Sequence, residues 1–182
     1  MKKTIATLLA LSMVFAVALT AAFAEDPAGP TFTNGIRFNM DMDKVIELMN
    51  RNPYEIDTEN TRGAVVFQEL EYENVREDGD GGFTADIKYL FVGNGLAAIH
   101  YDFEDGTSYE AVKARLTGVY GEAVPFSAAK IGNGKYAVDD DGELKHCKEM
   151  IEANGLIIVL EQDKDGDVDV TMLDPTAAYI NN

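Results

Sequence analysis

Phe83-Thr84-Ala85-Asp86-Ile87-Lys88-Tyr89-Leu90-Phe91-Val92-Gly93-Asn94-Gly95-Leu96-Ala97-Ala98-Ile99-His100-Tyr101-Asp102-Phe103 is the stretch that decides how this chain folds. Phe83, Ala85, Ile87, Tyr89 and Phe91 alternate with Thr84, Asp86 and Lys88; beyond a Gly-Asn-Gly break, Ala97, Ile99, Tyr101 and Phe103 alternate with Ala98, His100 and Asp102. Period-two patterning on either side of turn residues predicts an antiparallel hairpin. A two-residue turn at Asn94-Gly95 would set Tyr89 against His100 and Ile87 against Asp102, mixing apolar with polar. A three-residue loop, Gly93-Asn94-Gly95, with Gly95 left-handed, instead sets Tyr89 against Ile99, Ile87 against Tyr101 and Ala85 against Phe103. The second register is expected. It makes one face apolar and leaves Asp86, Lys88, His100 and Asp102 on the other, with Leu90, Val92 and Leu96.

Upstream, residues 64–75 read as a strand with Val66, Leu70 and Tyr72 on one face and Phe67, Glu69, Glu71 and Glu73 on the other. The Gly- and Asp-rich residues 76–82 turn it into the hairpin. Earlier still, Met42, Val45, Ile46 and Met49 recur at helical spacing, with Asp41 or Asn39 as N-cap and Pro53 closing the helical region. A methionine stripe of that kind is core material. Downstream, Thr107-Ser108-Tyr109-Glu110 has the form of a capping box. The helix it opens carries Tyr109, Val112, Leu116 and Tyr120 on one stripe and stops at Gly121.

Residues 124–143 are Gly-rich, acidic and aperiodic, with Phe126 and Tyr136 as anchors; long stretches of this kind are often binding loops or lids. Residues 145–153 fit a helix or a strand, and strand is preferred. Residues 156–162 are a continuous apolar β run, and Val168, Val170 and Met172 alternate with Asp169 and Thr171 in the strand that follows. Lys164-Asp165-Gly166 allows the same three-residue loop, placing Leu160 opposite Val170 and Ile158 opposite Met172. Helix then strands, twice over, predicts an α+β domain: helices packed on one face of an antiparallel sheet, in two αβββ-like repeats over residues 32–104 and 107–174.

The ends and the charge bound the function. Lys2 and Lys3, an apolar run over residues 5–21 and Ala22-Phe23-Ala24 form an export signal over residues 1–24 with a cleavage site. A flexible leader (25–31) and a loose tail (175–182) are expected to flank a single domain over residues 32–174. No cysteine stands near the cleavage point to carry a lipid, so a secreted protein, extracellular or periplasmic, is expected, with no membrane insertion after cleavage. The formal charge is −17, and loss of Lys2 and Lys3 makes it more negative. Such a surface repels nucleic acid and anionic membrane, which leaves an exported protein or cell-envelope component as the expected partner. Cys147 is the sole cysteine, so no intramolecular disulfide staples the fold.

Chemistry-bearing residues are few. His146 and Cys147 are adjacent and diverge on any regular backbone, so an inert thiol is expected. His100 and His146 are the chain's two histidines, and nothing in the pattern makes them converge on a metal. Asp163-Lys164-Asp165-Gly166-Asp167-Val168-Asp169, with Asp174 in the twelfth place, imitates an EF-hand loop. However, Val168 stands where that loop needs glycine, and the flanks alternate as strands. Asp86 and Asp102 face one another beside Lys88 and His100, an arrangement suited to acid–base work or, more simply, to a solvated charged face.

Gly35-Ile36-Arg37-Phe38-Asn39-Met40-Asp41 with Val45, Met49 and Pro53, and later Leu116, Tyr120 and Gly121-Glu122, resembles exported domains grouped with the β-lactamase inhibitory protein-like fold and the outer-membrane assembly lipoproteins of the small protein A type. Asn39 stands where a glycine often precedes the methionine in those families, and the lipoprotein cysteine is missing. The resemblance implies helices at the start of each of two sheet-forming units, and protein binding through the sheet face or its loops. No binding residue of those families transfers to this chain; the expected function is a non-catalytic binding or scaffold module without a cofactor or metal, whose contact residues are read from the outer sheet face and the 124–143 loop as Phe67, Lys88, Leu90, His100, Phe126 and Tyr136. A calcium-binding secreted protein using residues 163–169 is the alternative.

Overall fold

The computed structural model describes residues 35–57, 67–76, 82–132, 138, 144–153 and 155–174. The expected export signal, leader and tail, most of the turn over residues 76–82, Val66 and Tyr136 lie outside the described residues. In chain order the elements are helix α1 (Met42–Met49), strands β1 (Glu55–Asp57), β2 (Phe67–Arg76), β3 (Thr84–Val92) and β4 (Gly95–Phe103), helix α2 (Tyr109–Tyr120), strand β5 (Val124–Pro125), helix α3 (Ala128–Ile131), and strands β6 (Cys147–Ala153), β7 (Leu156–Gln162) and β8 (Val168–Leu173). The strands form one eight-stranded sheet in the order β1-β2-β3-β4-β8-β7-β6-β5. Every neighbouring pair is antiparallel. β1 to β4 make one meander and β5 to β8 a second, and the two join where β4 pairs with β8.

The central hairpin takes the apolar register, with Ala85 opposite Phe103, Ile87 opposite Tyr101 and Tyr89 opposite Ile99. Its loop differs from the expectation. Val92 pairs with Gly95, leaving a two-residue turn at Gly93-Asn94, and Gly93, not Gly95, takes the positive φ, at 66°. A glycine at the first central position suits a tight hairpin whose twist matches its strands. The residue that this turn saves reappears as a β-bulge, since Phe91 pairs with Leu96 but Leu90 pairs with Ala98, leaving Ala97 unmatched. The bulge turns Leu96 onto the helix-covered face beside Phe91, where it is fully buried. Leu96 therefore does not belong to the polar face, contrary to the simple alternation. The same strand end is held from outside: Asn39 N–H donates to Leu96 O, and Leu96 N–H donates to Met40 O, each at 2.8 Å.

Helices α1 and α2 cover one face. Asp41 is the N-cap of α1, its carboxylate accepting from Lys44 N–H, and Asn50 closes the helix in the left-handed region. Ser108, rather than Thr107, caps α2, with its hydroxyl accepting from Ala111 N–H. The expected capping box is not made, because Ala111 at the third helical position has no side chain to reach back. Val45 of α1 and Val112 and Leu116 of α2 pack with Leu70, Tyr72, Ile87, Tyr89, Tyr101, Ile158, Val170 and Met172 in the main core. Each fully buried aliphatic chain of this kind contributes about 1.5–3 kcal/mol. Tyr89 Oη donates to Met49 Sδ at 3.3 Å, and burial drives its phenol well above the ordinary range.

The second hairpin closes as its residues imply. Ile158 faces Met172, Leu160 faces Val170, and Gly166 has a positive φ of 101°. Residues 145–153 resolve as strand through β6. Residues 124–143 are not uniformly irregular. β5 pairs with β6, and Ile131 and Val138 are buried on the far face of the sheet against Val159, Ile157, Leu173, Ala98 and Met150. This second cover explains why β7 is buried from Leu156 through Glu161 without alternation, whereas β3 alternates strictly.

The two hairpin glycines should separate on substitution. Gly93→Ala, at positive φ, costs about 1 kcal/mol. A Cβ at Gly95 would sit 3.4 Å from Asn39 Cα, ordinary contact, and its φ is unexceptional, so Gly95→Ala should lie within about 0.5 kcal/mol of the natural chain. Urea unfolding of the two variants checks the order.

Candidate functional site

The face away from α1 and α2 is assembled by strand register. Positions directly opposite in an antiparallel sheet share a face, so the pairings place side chains in rows across it. One row runs Glu71, Lys88, His100, Thr171, Val159, Met150. The next runs Asp86, Asp102, Asp169, Glu161, Cys147. A third, on the other side of the first, runs Glu69, Leu90, Ala98, Leu173, Ile157. The face is therefore apolar where the segment carrying Ile131 and Val138 covers it, and charged over β2, β3 and β4.

Where the two halves meet lies a polar network. Thr171, fully buried, donates its hydroxyl to Glu161 Oε1 at 3.2 Å, and Glu161 is 5 % exposed. His100 Nδ1 lies 2.9 Å from Thr171 Oγ1. Since the hydroxyl has one proton and gives it to Glu161, Nδ1 is the donor in that contact. His100 Nε2 then points toward Asp169 Oδ1, 3.7 Å away. Burial, followed by the charges of Asp102, Asp167 and Asp163, pushes the Asp169 carboxyl up to about 7, with Lys88 opposing. Asp102 is raised for the same reasons, burial first and Asp86 next. Asp86 has a different outlet: its Oδ1 accepts from Asn74 N–H at 2.7 Å, at the bulge of β2 where Asn74 adopts a positive φ of 52°.

Of the expected contact residues, Lys88 and His100 are direct cross-strand partners. Leu90 and Phe126, both half-buried, flank the same apolar cluster. Phe67 begins β2 opposite Val92. Ile157 and Val159, on the same face, are buried with Ile131 and Val138. Cys147 stands opposite Glu161 on β6. Two strands separate β6 from β4, and three spacings of about 4.8 Å place Cys147 about 14 Å from the strand of His100. The amino-acid pattern assigned no functional part to Thr171 or Glu161, and placed Asp169 only in the acidic turn 163–169. A signal was present for each: Asp169 and Thr171 alternate with inward residues on β8, and Glu161 ends a run of apolar residues in a strand buried on both faces.

At the turn of β7 and β8, Asp163 Oδ1 accepts from the backbone N–H groups of Asp165, Gly166 and Asp167 at 2.7, 2.8 and 3.0 Å. Desolvation presses its carboxyl upward, but these backbone bonds together hold it below the ordinary range. At the opposite edge, Glu149 of β6 takes Lys113 Nζ of α2 at 2.6 Å and the Tyr109 hydroxyl at 3.0 Å. The Lys113 bond, opposed by desolvation and helped by Tyr109, lowers the Glu149 carboxyl. Among the described residues no three carboxylate, imidazole or thiolate groups converge as metal ligands, and no helix is long and apolar enough to cross a membrane.

Compared with family models, with curated proteins and with solved structures, the chain gives no match.

Thr171→Val keeps the shape of the buried side chain and removes both hydrogen bonds. Glu161 and His100 Nδ1 then lose a partner inside the sheet, at an expected cost of about 1–3 kcal/mol in urea unfolding. Thr171→Ser, which keeps the hydroxyl, should recover most of the loss.

Proposed function

We propose that this chain is an exported, non-catalytic binding module that meets a protein partner on the open part of its outer sheet face, around Lys88, Leu90 and His100, with Phe126 at the border of the covering segment. The observation that carries this reading is the division of that face. Its β6–β8 end is closed by Ile131 and Val138, while at the open end Leu90 is left half-buried on β3 beside Lys88 and its cross-strand partner His100, and Phe126, also half-buried, packs on the same apolar cluster from the β5 edge. Partly exposed apolar groups rimmed by charge are the usual make-up of a protein-binding patch. The strand order, which reads as the same meander from either edge of the sheet, supports two duplicated helix-plus-meander halves and the likeness to the β-lactamase inhibitory protein-like domains. Secretion rests on the amino-terminal sequence.

Affinity capture from the surrounding medium tests the surface. A partner retained by the natural chain should be lost with Lys88→Glu and with Leu90→Asp, while Lys44→Glu on the exposed side of α1 retains it. Retention by both face variants would remove this proposal.

Calcium on residues 163–169 is the competing reading. Asp163 Oδ1 is already engaged by backbone N–H groups, which close the turn without an ion. Thermal melts should therefore show no shift in Tm between chelator and millimolar Ca²⁺. A Tm that climbs with calcium concentration would put the ion in place of the protein partner.

A further inference from the structure

We propose that the junction of the two meanders is a proton-linked element: on folding at neutral pH it takes up a proton, held between Asp169 and His100, and so the sheet tightens as the medium becomes mildly acidic. Strand pairing is the first ground. Asp86, Asp102, Asp169 and Glu161 are successive register partners on β3, β4, β8 and β7. Directly opposed positions lie about 4.5–5.5 Å apart, close enough for like charges to repel; Glu161 is buried and Asp169 half-buried, while Asp102 is exposed. Asp86 is stabilised by Asn74 N–H and Glu161 by the Thr171 hydroxyl, which leaves the strain on Asp102 and Asp169.

Hydrogen-bond direction is the second ground. With Thr171 donating to Glu161 and His100 Nδ1 donating to Thr171, Nε2 of the same ring lies 3.7 Å from Asp169 Oδ1. A proton held by this pair makes the contact attractive, whether it rests on the imidazole or on the carboxyl. Of the charges facing Asp169, Asp102 on β4 and Asp167 and Asp163 in the adjoining turn favour the proton, and Lys88 on β3 opposes it; Glu161 is its register partner on β7. Cys147 on β6 lies beyond Glu161.

A carboxyl that titrates higher in the folded chain than in the unfolded one binds protons on folding. Its stabilisation is complete below the unfolded value and lost as pH rises through the folded one. For Asp169 the window runs from the ordinary carboxylate range to about 7. Glu149, lowered by Lys113, acts oppositely and only at the acid end, where its contribution is lost as pH falls through its depressed value.

The test uses the whole chain. Urea unfolding at pH 5 and pH 7.5 should show a folding equilibrium constant larger at pH 5 by about tenfold to a hundredfold. Asp169→Asn should flatten that dependence, whereas Asp165→Asn, at the exposed tip of the turn, should leave it. Carbon NMR of the natural protein should show one aspartate carboxyl, missing in the Asp169→Asn spectrum, titrating near neutrality, and Asp102→Asn should shift its midpoint to lower pH. An Asp169 carboxyl that titrates with the ordinary aspartates would overturn the proposal, as would the same pH slope in the natural chain and Asp169→Asn.

Discussion

The pairing of Ile87 with Tyr101 and of Tyr89 with Ile99 is the constraint from which the rest of the molecule follows. Side chains alternate across a strand, so this one choice of register sends a whole row toward α1 and α2 and its complement to the opposite face. The bulge at Ala97 lets a tight turn at Gly93 coexist with that choice. Without it, either Leu96 would leave the core or the turn would need a further residue. The backbone of Asn39 and Met40 fastens the bulged end, tying the segment before α1 to the strand that α1 helps to cover.

A sheet eight strands wide has more apolar surface than two short helices can cover. The chain resolves this unevenly. In the second meander the strands are apolar on both faces, and Ile131 and Val138 bury the side that the helices do not reach. In the first, β2 and β3 present glutamates, Asp86 and Lys88 to that side, which needs no cover. The same face is thus interior at one end and surface at the other, with the Glu161, Thr171, His100 and Asp169 network at the transition. Such a boundary suits a network of this kind: deep enough that each bond is poorly screened, and shallow enough that protons can exchange with solvent.

Helix α2 and strand β6 show how the acidic chain uses its few cations. Lys113 is shared between the two oxygens of Glu149, and Tyr109 donates to the same carboxylate, so one lysine and one phenol dock the helix against the sheet edge. Lys88, by contrast, faces Glu71 on one side and His100 on the other, with the aspartate row alongside. Its charge is spread over several acids, and repulsion within that row persists.

Local chemistry was legible in the amino-acid sequence. The alternation of residues 83–103 determined the hairpin register, the Asp165-Gly166 turn determined the pairing of Leu160 with Val170, and the polar residues ahead of α1 and α2 marked where those two helices start. Each of these depends on neighbours a few residues apart, where periodicity and turn chemistry are strong. The facing pairs Asp86 with Asp102 and Lys88 with His100 were readable for that reason. Joining β4 to β8 was not, because period-two patterning assigns a side chain to a face without naming the strand beside it. That pairing alone brings Thr171 to His100 across 71 residues of chain and sets Asp169 against Asp102. The placing of Ile131 and Val138 on the far face, and the inward turn of Leu96, likewise follow from packing between distant segments, for which a linear pattern carries no signal.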